Sequence, residues 1–266
     1  MLRYSLAKAV DRPKGTRATL PPISPRLAPE IQYRAALRRL LAAAAKEVRE
    51  SVIPLYEAER TIKDFTGDAE ASWFVRLRAM INELTGVVNG TVRSILDLEG
   101  KQHTKGFMAA AKKALGIDLA AVVHDKDIAD YIETAVARNV SLITNFGDDL
   151  LKRIEQTVYE NSIAGNTVAT LKAKLKEQFG ISDRRAALIA RDQIGKFNSD
   201  LNRIRQTQAG VTSYEWMTSH DERVRERHRK LDGKEYKWGE PTGAEDGGAP
   251  GQPIRCRCVA RGIVEF

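Results

Sequence analysis

The side chains best able to hold a metal or move a proton gather near the C-terminus. The stretch HDERVRERHRKLDGK carries His220, Asp221 and His228, and PIRCRC supplies Cys256 and Cys258, the two cysteines of the chain. Read as a helix, the first stretch sets Asp221 and His228 two turns apart on nearly one face. Read as a strand, the second points both thiols to one side. Pro253 and the loop GEPTGAEDGGAPGQP could fold that strand back beside His228. His228, Cys256 and Cys258 would then converge, with Asp221 or His220 as a fourth donor. Zinc accepts such nitrogen, sulfur and oxygen sets, and is the candidate cofactor. The spacing is not a common zinc pattern, so a reduced thiol pair packed on His228 stands as the alternative. A disulfide between cysteines one residue apart would be strained.

No catalytic residue is assigned. A cysteine beside a histidine can serve as nucleophile and base. Here neither cysteine has a Gly-rich oxyanion turn, and no second pair of carboxylates aligns with it. Asp232-Gly233 reads as a turn whose glycine supplies a positive φ. Arg223, Arg225, Arg227 and Arg229 alternate with acids and bulky residues, the pattern of a solvated face. His103 and His124 are expected near helix ends, in solvent.

The elements that must position this cluster follow from patterning. Of 266 residues, 42% are hydrophobic and only 6% aromatic, with Ala and Leu frequent, which leans towards helix. Ile31 to Ala44 recur at helical spacing until Pro54, where a break is expected. Trp73 to Ile95 form a second stripe, weakened at Gly86 and Gly90. FMAAAKKALGIDL reads as a separate short helix ending at Gly116. Ile128 to Val158 make a long stripe, AGN at 164–166 a turn, and Thr167 a new start. Ser182 or Asp183 is expected to cap one more helix, ending at Gly210. From Val211, VTSYEWMTS alternates with period two, as does IRCRCVARGIVEF at the end, so both read as strands. The expected fold is mainly α: a long helical body over 30–210 and a small C-terminal α+β closing module over 211–266. An extended, Pro-rich N-terminal arm over 1–29 precedes them.

Net charge is +8, and it is uneven. Residues 1–40 hold nine basic and two acidic side chains, whereas 213–266 hold ten of each. Arg3, Lys8, Arg12, Lys14, Arg17 and Arg26 of the arm are therefore candidates for phosphate backbone or an acidic partner surface. No apolar run is long enough to span a membrane, and no secretion signal opens the chain, so a soluble protein made in the cytoplasm is expected.

The C-terminal motifs resemble the phage Mu F-like minor head, or head morphogenesis, proteins. The likeness runs over about 120–266 and is carried by Arg191-Asp192-Gln193, Asn198, Gly210, Trp216, Thr218, Asp221, Arg223, Val224, Arg225, His228, Leu231, Asp232, Gly233, Pro253, Cys256, Arg257 and Cys258. It departs where many members carry a histidine before C-R-C and this chain reads Gln252-Pro253-Ile254-Arg255. The resemblance implies a virion component inside the head near the portal, made in the host cytoplasm. Its partners would be portal protein and major capsid protein, with packaged double-stranded DNA a further candidate and no membrane. In this reading Asp221, His228, Cys256 and Cys258 hold the closing module together, with or without zinc. Trp216, Arg223, Arg225, Asp232, Gly233 and Pro253 complete the structural motif. Alternative readings are a metal-dependent nuclease, a toxin-like effector carried in the head, or a free, non-specific DNA-binding protein.

Overall fold

The computed structural model describes residues 2–60 and 67–266, with residues 59–60 and 67–72 described by their backbone alone. The fold is mainly α, as the patterning predicts. The described helices are α1 (Leu27–Glu47), α2 (Ile53–Arg60), α3 (Gly67–Leu115), α4 (Ala129–Ile163), α5 (Val168–Gln208) and the one-turn α6 (Glu226–Arg229), and the described strands form one sheet. Its strands are β1 (Arg17–Thr19), β2 (Ser213–Met217), β3 (Glu235–Lys237) and β4 (Val259–Glu265), in the order β1-β4-β2-β3, with every pair antiparallel. Among the described residues no helix is long and apolar enough to cross a membrane.

Several expected breaks are absent. Gly86 and Gly90 sit on the exposed side of α3, where a helical glycine costs about 1 kcal/mol and does not stop a helix 49 residues long. FMAAAKKAL is the last part of that same helix, which ends where Gly116 donates its N–H to the Lys112 carbonyl at 2.9 Å. Ser182 and Asp183 lie inside α5 and cap nothing. Instead Asp183 accepts from Arg38 at 2.6 Å, and Ser182 is buried. At Pro54 the chain continues as helix because a five-residue π turn, Val48–Val52, comes directly before it. The wider turn absorbs the missing N–H and the bulk of the ring.

The chain divides into two compact units, and neither follows the expected boundaries at 29 and 210. Unit 2 comprises Ile31–Ile95 and Val136–Ala190. It is all helix, and its core is the apolar stripe read from sequence: Leu37, Leu40, Leu77, Ile143, Phe146, Leu150, Ile154 and Val158 are buried. Trp73 meets Tyr56 and Phe74 edge to face, and Phe74 meets Tyr159 in the same way. Such ring pairs add to the burial of area itself. Two buried polar contacts fix the helices in register, Tyr33 Oη donating to Asn139 at 2.8 Å and Asn161 Nδ2 to Tyr56 Oη at 3.1 Å.

Unit 1 is assembled from Met1–Glu30, Leu96–Ala135 and Arg191–Phe266. The N-terminal segment, expected as an extended arm over 1–29, is part of a folded unit. Leu6 and Leu20 are fully buried with Phe107, Leu115, Leu119, Val211 and Val264. Strand β1 pairs with β4 in the register Arg17↔Glu265 to Thr19↔Ile263. The Leu6 N–H reaches the Ala209 carbonyl at 3.0 Å, and the Leu20 N–H reaches Gly262 at 2.8 Å. Asn198 and Asn202 on α5 both donate side-chain N–H to the Ile23 carbonyl. Prolines in this segment prevent a helix, but they do not prevent docking.

Within unit 1, α5 buries Arg205 completely. Its guanidinium donates to the Thr104 hydroxyl at 2.7 Å and the His124 carbonyl at 2.9 Å, and lies 3.4 Å from the Asp127 carboxylate. Arg3 binds the same carboxylate at 2.6 Å. Burial would raise the Asp127 carboxyl, but the His124 N–H and both guanidiniums hold it below its ordinary value. His103, expected in solvent, is buried on α3 and shares a hydrogen bond with Asn202 at 3.3 Å. Burial and then the nearby Arg205 charge push its pKa down to about 4, so the ring is neutral at pH 7.

Candidate functional site: a His/Cys/Cys clasp

Three segments of unit 1 build the site. Strand β2 places Trp216 in the core. The chain then turns, and Asp232 secures the turn by accepting the Thr218 N–H at 2.7 Å and contacting His220 Nε2 at 2.8 Å. Gly233 follows with φ +72° and donates its N–H to the Trp216 carbonyl, so the turn needs its glycine as the sequence implies. Between them, α6 presents the buried His228, its ring 5.4 Å from that of Trp216 and edge-on.

The third segment returns through the Gly/Pro loop. Gly251 takes φ +89°, and a Cβ there would stand 2.9 Å from the Ser199 Cβ on α5, so only glycine fits the close approach. The buried Pro253 offers its carbonyl to the Cys256 N–H at 2.9 Å. Cys256 and Cys258 then face inward while Arg257 between them is partly exposed, the alternation expected of extended chain, although β4 itself starts one residue later.

These elements bring His228, Cys256 and Cys258 together, all buried, with their ligand atoms within 4.8 Å of one another. His228 Nδ1 lies 3.5 Å from Cys256 Sγ and 3.6 Å from Cys258 Sγ. Zinc bonds of about 2.1 Å to nitrogen and 2.3 Å to sulfur, at a tetrahedral angle, put the two ligand atoms about 3.6 Å apart. The geometry therefore fits three of the four positions of a tetrahedral ion, at Nδ1 and the two sulfurs, and the described residues place no fourth side chain in the cluster. Glu245 lies on the other ring nitrogen, 2.6 Å from Nε2. A carboxylate there fixes the tautomer and aims Nδ1 at the sulfurs, the usual outer partner of a metal-bound imidazole.

The thiols are themselves polarised. The Cys256 pKa is pulled down to about 6, first by the Cys258 S–H and then by the N–H groups of Gly251 and Cys258 and the charge of His228. Cys258 moves up, because it holds the proton the pair shares. One sulfur is thus ready to be a thiolate ligand, and the second would lose its proton on meeting a cation.

The remaining sequence candidates divide. Asp221 is not a member of the cluster: residues 221–225 form a turn and not the expected helix, so the supposed common face with His228 does not exist. Asp221 instead pairs with the Arg257 guanidinium and accepts the Arg223 N–H at 3.0 Å. His220 is spent on Asp232. Arg225 donates to the Ile254 carbonyl and lies 3.6 Å from Glu245, tying α6 to the returning loop. Arg223 is exposed beside Glu222. Of the six basic residues proposed for partners, four have internal contacts. Arg3 binds Asp127, Arg17 binds Glu235 and Glu265, Arg26 binds Glu99, and Arg12 reaches the Ala114 carbonyl and covers the Phe266 ring. Lys8 and Lys14 remain exposed.

Glu245 was missed by sequence reasoning. Its only signal was an acid in a glycine-rich loop, and loop conformation, not periodicity, carries it to the histidine.

Residues 152–261 match the family described as Phage Mu protein F like protein. This segment is similar to the Mu F-like family. It holds the triad, Glu245, Trp216 and the Asp232-Gly233 turn, and so the whole clasp lies within it. An uncharacterized protein of Haemophilus influenzae is 33% identical over 149 residues, which is 56% of this chain and 33% of that protein. The chain thus matches about a third of the relative's length. No solved structure matches.

Proposed function

We propose that the chain is a minor head protein of a tailed phage. It would act in head morphogenesis inside the head near the portal vertex, with portal protein and major capsid protein as partners and packaged double-stranded DNA as a further contact. The observation that carries this reading is the Mu F-like match over 152–261, which spans the clasp and the helix leading into it. The role is structural. His228 is buried, and its second nitrogen is committed to Glu245. Such a ring suits a fixed ligand better than a proton carrier.

On the same reading, His228, Cys256 and Cys258 hold zinc, with Glu245 orienting the imidazole. When bound, zinc supplies a cross-link between α6 and the segment entering β4, and its binding energy becomes folding energy of unit 1. Trp216, Leu231 and Ala244 pack against the two cysteines on one side.

Mass spectrometry of particles purified from the producing host tests the first part. The chain should be present in particles and absent when its gene is deleted, with a defect in head assembly; particles that never contain it would overturn the assignment. DNA cleavage by the purified protein, lost in His228→Ala, would replace it with a metal-dependent nuclease. Elemental analysis tests the second part. It should find about one zinc per chain in the wild type and none in Cys256→Ser/Cys258→Ser, since a structural site needs its full ligand set. A metal-free wild type, purified reduced at neutral pH, would leave a thiol–imidazole cluster in place of the metal site.

A further inference from the structure

A cavity of about 340 Å³ opens beside the triad, and five arginines line it: Arg191, Arg223, Arg225, Arg255 and Arg257. Ser219, whose side chain is hydrogen-bonded to the Asp221 carboxylate, shares the wall, and no carboxylate does. Three of the guanidiniums have internal partners: Arg257 with Asp221, Arg225 with the Ile254 carbonyl and Glu245, and Arg223 with Glu222 at 3.6 Å. The other two, Arg191 from α5 and Arg255 from the turn before Cys256, have no side-chain partner among the described residues. Arg255 is held in that turn at φ 61°, while its N–H faces the Asp192 carboxylate.

Guanidiniums that share one space repel one another unless an anion lies between them, and their planar forks match the oxygens of phosphate. Walls that exclude water strengthen that attraction. The local charge is not what the sequence shows, since residues 213–266 are neutral in sum. Folding turns Asp232, Glu235 and Glu265 to contacts elsewhere, pairs Arg223, Arg225 and Arg257 with acids beside the wall, and leaves Arg191 and Arg255 without one.

We propose that this cavity binds a phosphate-type oxyanion, gripped mainly by Arg191 and Arg255. The volume exceeds that of one phosphate group, so the ligand is either free phosphate or a phosphodiester of a nucleic-acid backbone. Both offer the same oxygens. The site needs neither a metal at the triad nor a place in a particle.

Titration calorimetry with inorganic phosphate, at low ionic strength and in a buffer without competing anions, tests it. Wild type should bind at one saturable site. Arg191→Gln/Arg255→Gln should weaken binding by about tenfold or more, the scale of lost charge-assisted hydrogen bonds. Lys230→Gln, which removes an exposed charge outside the cavity, should change it by less than about twofold. Melting temperatures of all three proteins confirm that they are folded. Absence of saturable binding in the wild type, or equal binding by the double variant, would overturn the proposal. A duplex oligonucleotide added as competitor then separates the sources. Displacement of phosphate that is lost in the double variant assigns the site to backbone phosphates, and no displacement assigns it to the free ion.

Discussion

The two units of this chain are held by different physics. Unit 2 is a helical core of aliphatic and aromatic stripes, crossed by buried polar contacts such as Tyr33–Asn139 and Asn161–Tyr56. Unit 1 draws on three separate lengths of chain and closes them with polar devices: the Arg205–Asp127–Arg3 cluster, the Asn198 and Asn202 clamps on Ile23, and the His/Cys/Cys clasp. Burial without direction tolerates many sequences, whereas buried polar groups must find specific partners or cost their full desolvation. Unit 1 is therefore the part where single side chains should matter most, and each experiment below asks whether the two units respond differently.

The largest difference should come from the N-terminus. Deleting residues 2–20 removes β1, two fully buried leucines and the Arg3–Asp127 ion pair from unit 1, and nothing from unit 2. The leucines alone are worth about 2 kcal/mol each by area, and the loss of pairing and of a buried charge partner adds to that. Amide exchange in β2, β4 and the C-terminal half of α5 should become fast, while residues 143–158 of α4 stay protected. Protection unchanged in β4 would mean that the N-terminal segment is only a loose arm, as its prolines and charge first imply.

That reversal shows which parts of the fold were legible. The stripe from Ile128 to Val158, the Gly116 stop, the AGN turn and the alternation of β2 all obey local rules, and local rules can be read from one sequence. The docking of Leu6 and Leu20 obeys no local rule. It depends on an open strand edge at β4 that residues far along the chain create. The site divides in the same way. His228, Cys256 and Cys258 were legible because few side chains make metal ligands. Asp221 was misplaced because a four-residue helix stood where a longer one was expected, and Glu245 was invisible because only the loop's path brings it in.

A second, smaller contrast concerns pH. The folded chain holds His103 with its pKa near 4, against about 6.5 in the unfolded chain. Between these values the unfolded state binds more protons, so stability falls as the pH drops from about 6.5 towards 4, by up to about 3 kcal/mol from this residue. Above that window His103 contributes no slope. Denaturant melts at pH 7 and pH 4.5 should show His103→Gln losing less stability on acidification than wild type. Equal losses would mean that the buried ring with its Arg205 neighbour does not set the slope.

The smallest effects separate the two carboxylates near the clasp. Asp221 and Arg257 are each close to one-third exposed, so Asp221→Asn should cost under about 1 kcal/mol and leave metal affinity unchanged. Glu245 touches the imidazole itself, and Glu245→Gln should lower zinc affinity by about ten- to a hundredfold, because the neutral amide no longer fixes the tautomer or raises the basicity of Nδ1. Competition against a chromogenic chelator measures both. If Asp221→Asn weakened zinc as much as Glu245→Gln, the carboxylate five residues before α6 would regain its place as a ligand, and the turn at 221–225 would have to close over the metal. If neither did, Glu245 would be a surface partner of His228 and Arg225, and the imidazole would owe its aim to packing against Trp216 alone.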